Sequence, residues 1–250
     1  MKKYSLSILI LLGALRVTAQ KTDAPARALT IDFSYGINQP VDILAQRFGN
    51  ASSIGLGINV FNVARGFRYG INGNYFFGSD VKEDVLAPFR TTDGNILSDL
   101  NTYSSVLLRE RGSYIGADIG KIFKFRSSGD YFHGISLNFG VGMLMHQIRI
   151  QNDNKDALQI QGAYTSGYDR LTMGAAIEQS LAYNYISHDK TVNFFLRLEA
   201  TEGLTKNQRG YNFDTHQFDT ATRLDILLAA RIGWSFALFA HFQADAAIEY

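Results

Sequence analysis

The stretch LTMGAAIEQSLAYNYI, Leu171 to Ile186, constrains the fold of this chain more than any other. Leu171, Met173, Ala175, Ile177, Leu181, Tyr183 and Tyr185 fill one set of alternate positions. Thr172, Gly174, Ala176, Glu178, Ser180, Ala182 and Asn184 fill the other. A period of two puts these sets on opposite faces of a β-strand, whereas a helical period would mix them.

The same alternation marks Leu29 to Gly36, Ser53 to Phe61, Phe67 to Phe77, Ser113 to Phe123, Gly134 to Ile150, Thr191 to Thr201 and Thr222 to Trp234. With Leu171 to Ile186 these make about eight strands, and helical signals are few. The tail alternates again through Phe242, Ala244, Ala246, Ile248 and Tyr250, which allows a longer last strand or a count of ten. Connections after the first, third, fifth and seventh strands are long and those between are short. Asn62 to Gly66 and Ser187 to Lys190 are tight, while Gly78 to Gly112 is an extended polar loop. An even strand count with alternating loop lengths is the pattern of an antiparallel up-and-down barrel, all-β, and of the transmembrane kind in particular. No linker or solenoid-length repeat divides the chain, so one domain is expected over 20–250.

The composition of the two faces decides which solvent each one meets. One carries Gly55, Gly57, Gly70, Gly116, Gly120, Gly140, Gly142, Gly174 and Gly233, with Asn59, Asn72, Asn74, Ser136, Asn138 and Ser180. Small polar residues suit the crowded inside of a narrow barrel, whereas bulk water favours lysine and glutamate. The other carries Ile31, Phe33, Ile54, Leu56, Ile58, Ile71, Ile115, Ile119, Leu137, Phe139, Val141, Phe194, Leu196, Leu198, Leu224, Ile226, Leu228 and Ile232, and no charge in any strand's central portion. A Lys or Arg at a bilayer midplane costs roughly 2–4 kcal/mol, so this is the face lipid selects. Tyr35, Phe67, Tyr69, Tyr75, Phe77, Phe123, Tyr183, Tyr185 and Trp234 stand near strand ends, where interfacial aromatic girdles belong.

Glu178 therefore points inward, together with Asp32, Arg68, Asp118, Arg197, Glu199, Asp225 and Arg231. Confined charges must be paired and hydrogen-bonded, so Glu178 and Glu199 are expected to face Arg197 and Arg231 across the lumen. An interior of about eight strands has room only for side chains, which predicts a closed polar core rather than a channel.

Met1, Lys2 and Lys3, the apolar run Tyr4 to Leu15 and Val17-Thr18-Ala19 read as a secretory signal peptide over 1–19, with the mature chain starting at Gln20. The absence of cysteine excludes a lipoprotein anchor, disulfides and thiolate metal sites. Without Lys2, Lys3 and Arg16 the chain holds 21 basic and 23 acidic residues, a net charge of −2, which argues against nucleic acid as a partner. The histidines His133, His146, His188, His216 and His241 show no metal-ligand spacing, and no nucleophile elbow or phosphate-binding glycine loop occurs. No cofactor and no enzymatic activity are expected. Should there be a lipid-active hydrolase site, His146 with Ser180 or Ser166 would supply its residues.

The leader ending in Thr18-Ala19-Gln20, the segments Asp42 to Gly49 and Arg109 to Gly112, and Gly167 to Leu171 resemble small outer-membrane β-barrel proteins of the Bacteroidota. The resemblance implies a bacterial outer-membrane location, and the alternation of long and short connections orients the chain with both termini periplasmic. The resemblance also implies an accessory role in the cell envelope, with outer-membrane lipids and, through the long outer loops, envelope or secretion proteins as partners. The expected function is that of a structural or interaction barrel. Small-solute or ion transport and lipid hydrolysis are the competing readings.

Overall fold

The computed structural model describes residues 28–62, 65–100, 102–125, 132–154, 156–186 and 193–239. The expected leader, the start at Gln20, the turn Ser187 to Lys190 and the alternating tail beyond 239 lie outside these residues. Eight long strands are present: β1 (Ala28–Val41), β2 (Ala51–Asn62), β3 (Phe67–Gly78), β4 (Val106–Lys124), β5 (Phe132–Asn152), β6 (Thr172–Ile186), β7 (Asn193–Asn207) and β8 (Thr222–Phe239). Each is antiparallel to the next, and β1 pairs with β8 from Ala28↔Phe239 to Val41↔Ile226, closing the barrel. Among the described residues the barrel has eight strands, and residues 235–239 lengthen β8.

The alternation works as the sequence predicts. Asn59 and Ser53 are fully buried within the barrel, while Ile71 and Leu198 on the opposite parity are 60% and 62% exposed. The interior is tight enough to require glycine beside Tyr114: a Cβ on Gly116 would sit 2.3 Å from the Tyr114 hydroxyl, and one on Gly140 3.3 Å from it. The Tyr114 ring thus occupies space that two glycines leave open.

Two expectations are corrected. The fourth strand starts at Val106, not Ser113, so Arg109 to Gly112 belong to a paired strand and the second long loop covers only 79–105. The seventh strand runs on to Asn207, which places Glu202 within it and on the outward face, between Ala200 and Leu204. Gln179, opposite Ala200 on β6, is also outward, so the apolar stripe holds two polar interruptions.

The physical reason lies at the long-loop end of the barrel, where the faces exchange polarity. On β5 the inward positions become Leu144, His146 and Ile148, and the outward ones Gln147 and Arg149. Phe76 and Leu227 turn inward in the same way. Onto this apolar rim fold the long loops: the first with its helix α1 (Ile43–Arg47), through Leu44 and Phe48; the second through Val85, Leu86 and Ile96; the third through Ala157, Ile160 and Tyr168. Together they form one buried hydrophobic core that stoppers the barrel.

Candidate functional site

All eight charges assigned to the interior are buried there: Asp32, Arg68, Asp118, Glu178, Arg197, Glu199, Asp225 and Arg231. They form separate clusters rather than one network. Arg231 is the centre of the first, donating from Nε and Nη2 to Glu199 at 2.9–3.2 Å, from Nη1 to Ser53 Oγ at 2.6 Å and from Nη2 to Asn38 Oδ1 at 3.3 Å. Asn74 reaches the same carboxylate from β3. Nearer the short-turn end, Arg68 Nη2 donates to Asp32 Oδ2 at 2.7 Å, and Asn59 and Ser235 donate to the same carboxylate. Asp118 accepts from Asn72 Nδ2 at 2.6 Å.

The expected four-residue constellation forms only in half. Glu199 meets Arg231, but among the described residues Glu178 Oε2 and Arg197 Nε find no hydrogen-bond partner. Arg197 lies instead with its guanidinium carbon 4.7 Å from the centre of the Phe195 ring. Glu178 sits in the combined field of Glu199, Arg197, Arg231 and Asp118, without a direct bond to any of them. Tyr114 is near the same acids. Its role was not read from the sequence, although its parity with Gly116 and Asp118 signals an inward position.

Asp225 stands apart, at the long-loop end. It accepts from Thr205 and is 2.8 Å from His146 Nε2, and Phe48 packs edge-on against that imidazole. His146 is therefore a fully buried partner of an interior acid, not a residue of the exposed rim as its place near a strand end suggests. Ser180, one of the two serines a hydrolase reading pairs with it, accepts from Asn138 Nδ2 at 3.0 Å.

Above this core an ionic clasp joins all four long loops. Glu83 of the second loop accepts from Arg47 of the first at 2.5 Å and from Arg170 of the third at 2.7 Å, and Arg170 donates in turn to Asp214 of the fourth at 2.6 Å. Arg209 and Asp169 tie the third and fourth loops a second time at 2.6 Å. Burial works against the Glu83 carboxylate, yet the charges and hydrogen bonds of Arg47 and Arg170 outweigh it and hold its pKa below the ordinary value. Burial likewise opposes the Arg170 charge, and the bonds to Asp214 and Glu83 raise its pKa. The loops thus form a fixed cap. On its outside Leu100, Tyr103, Leu158, Tyr164 and Phe218 are exposed.

No protein-family model matches the chain, and no curated protein matches it significantly. Among solved structures, it is similar to Neisserial surface protein A at 9% identity and TM-score 0.39, over 83% of this chain and 96% of that one. It is also similar to the N-terminal β-barrel domain of Pseudomonas aeruginosa OprF, at 10% identity and TM-score 0.36, over 83% and 97%. A third likeness is to Ail, the attachment invasion locus protein of Yersinia pestis, at 9% identity and TM-score 0.35, over 84% and 97%.

The difference between the two interior glutamates is measurable. Glu199→Ala strands Arg231 and is expected to cost about 3–5 kcal/mol, as breaking a buried pair does. Glu178→Gln keeps the shape of a carboxyl group that has no bonded partner and should be clearly milder than Glu199→Ala. Urea unfolding in liposomes, followed through the single tryptophan, Trp234, reads both. Equal losses would show that Glu178 is paired after all.

The clasp predicts a pH response of definite sign. A carboxylate with a depressed folded-state pKa contributes stability that is present above its unfolded pKa and lost as pH falls through the folded value. Amide protection factors in the second loop should therefore fall as the pH drops below about 4, and Glu83→Gln should abolish that dependence. Protection that stays flat in the unmodified protein over this range would refute the clasp.

Proposed function

We propose that this protein is an integral barrel of a bacterial outer membrane, closed to permeation, whose capped loop end is a docking surface for cell-envelope partners. The observation that carries the location is the outward face itself. From β1 to β8 it is apolar across the middle of the sheet, as a lipid-facing surface must be. The two exceptions are compatible with this. Glu202 lies eight residues from the girdle residue Phe194, about 20 Å along the barrel axis, near one edge of a band about 25 Å tall, where a carboxylate costs little. Gln179 is uncharged.

The long loops define the outer side and the short turns, with both chain ends, the periplasmic side, as in barrels of this type. The resemblance of Asp42 to Gly49 and Gly167 to Leu171 to Bacteroidota barrels agrees with such a setting. Against transport stand the filled lumen and the hydrophobic stopper above it. Against hydrolysis stands the geometry of His146, which faces an acid under Phe48 and bonds no serine. The cap favours an interaction role, because a rigid scaffold holds its exposed apolar side chains in fixed positions, as in other proteins that bind through loops. An accessory place in a secretion or surface complex fits this reading.

The protein is expected to fractionate with the outer membrane, to run as a heat-modifiable band, and to give no discrete conductance in planar bilayers. Photocrosslinkers at Leu100 or Phe218 in intact cells should capture envelope proteins, whereas one at Leu198 should not. A stable single-channel current would return the transport reading, and turnover of phospholipid by the purified barrel would return the hydrolase.

A further inference from the structure

Arg109 on β4 and Arg149 on β5 are directly opposed partners in the sheet, and both project from the outward face. Arg111, two residues along, projects the same way beside Phe77 of β3. Like charges directly opposite one another on a sheet repel. Among the described residues none of the three has an ion-pair partner; Arg111 Nη1 donates to the Glu110 backbone carbonyl at 2.6 Å. A concave surface of about 450 Å³ adjoins Arg109 and Arg111, lined otherwise by Asn50, Ser52, Phe77, Gly78, Ser79 and Gln151, none of them acidic.

The height of the patch says which anion would suit it. Lys121, on the same face of β4, lies over the Phe67 ring at 4.3 Å near the short-turn end. Arg111 is ten residues further along, which at the usual rise and tilt is about 25 Å, the thickness of the apolar band of such barrels. The exchange of faces on β5 marks the same level independently: Val141 and Met143 are the exposed outward residues below it, and Gln147 and Arg149 lie above. The arginines therefore stand at headgroup level in the outer leaflet.

We propose that Arg109, Arg111 and Arg149 bind the phosphates of an outer-leaflet phosphorylated glycolipid. The proposal rests on the outer-membrane reading above. Guanidinium groups suit it because each can donate two parallel hydrogen bonds to one phosphate, and two facing arginines hold a doubly charged group without repelling one another. Membrane lipid rather than free phosphate is the occupant, because the patch faces the plane in which the acyl chains below it lie against Ile115, Val141 and Met143.

The test compares diphosphoryl lipid A with the same lipid enzymatically dephosphorylated, each offered to the folded barrel in neutral detergent and read by native mass spectrometry. The unmodified protein is expected to retain the phosphorylated form preferentially. Arg109→Gln/Arg149→Gln should weaken that retention about thirtyfold, at roughly fivefold per surface arginine. Arg149→Gln alone should weaken it about fivefold, and without lipid should leave the unfolding midpoint unchanged or higher, since it removes a repulsive pair. Equal retention of both lipids by the unmodified protein, or unchanged retention by folded variants, overturns the proposal. Failure of the location is read separately by fractionation, so a barrel correctly placed in the outer membrane yet indifferent to lipid phosphate refutes this site alone.

Discussion

The seam between β1 and β8 is the interaction on which everything else in this molecule depends. A sheet with two free edges leaves rows of backbone N–H and C=O groups to be satisfied, and hydrocarbon offers them no partner. Pairing Ala28–Val41 with Ile226–Phe239 removes both edges at once. Closure also divides the side chains into two populations with opposite solvents, since each strand must now send one parity inward and the other outward. The small polar face and the large apolar face are the sequence's response to that division.

A closed ring of eight strands leaves an interior that must be filled, and the filling is graded along the axis. Near the short turns it is polar, with Arg68, Asn59 and Ser235 all donating to Asp32. In the middle, Arg231 binds Glu199 while Tyr114 takes up the room left by Gly116 and Gly140. Towards the long loops it becomes apolar, and Leu144, Ile148, Phe76 and Leu227 merge with Leu44, Phe48 and Leu86 into the stopper. Below the stopper Arg68 pairs with Asp32 and Arg231 with Glu199, and the loops above are held by Glu83 and Arg170. The barrel is thus closed at this end by an ordered set of loops.

The fold was legible because a closed barrel imposes a single rule on alternate residues, and Ile54-Leu56-Ile58 against Gly55-Gly57-Asn59 state it without ambiguity. The strand ends at the loop side were not, because the rule reverses there. Arg109 to Gly112 look like polar loop when apolar-outward is the criterion, yet they are strand, with Arg109 and Arg111 outward and Glu110 buried inward. Glu202 was missed for the related reason that its strand was ended at Thr201. Inward orientation of the eight charges followed from parity, but their partners did not. Parity fixes a face, whereas the choice of Ser53, Asn38 and Asn74 around Arg231 and Glu199 depends on stagger between strands that are distant in the chain. The loop clasp unites residues from four separate segments and leaves no periodic signal.

The central claim is that one parity meets lipid and the other a closed interior, and site-directed spin labelling along β7 tests it most directly. The chain has no cysteine, so single cysteines from position 194 to 206 can be labelled without background. In liposomes, collision rates with oxygen, which concentrates in hydrocarbon, should peak at 196, 198, 200, 202 and 204 and dip between them. Rates with a water-soluble nickel complex should stay low at every one of these positions until 206. High nickel accessibility at 197, 199 and 201 would reveal a water-filled lumen, and high nickel accessibility at 196 and 198 would place the outer face in water; either result would contradict the account.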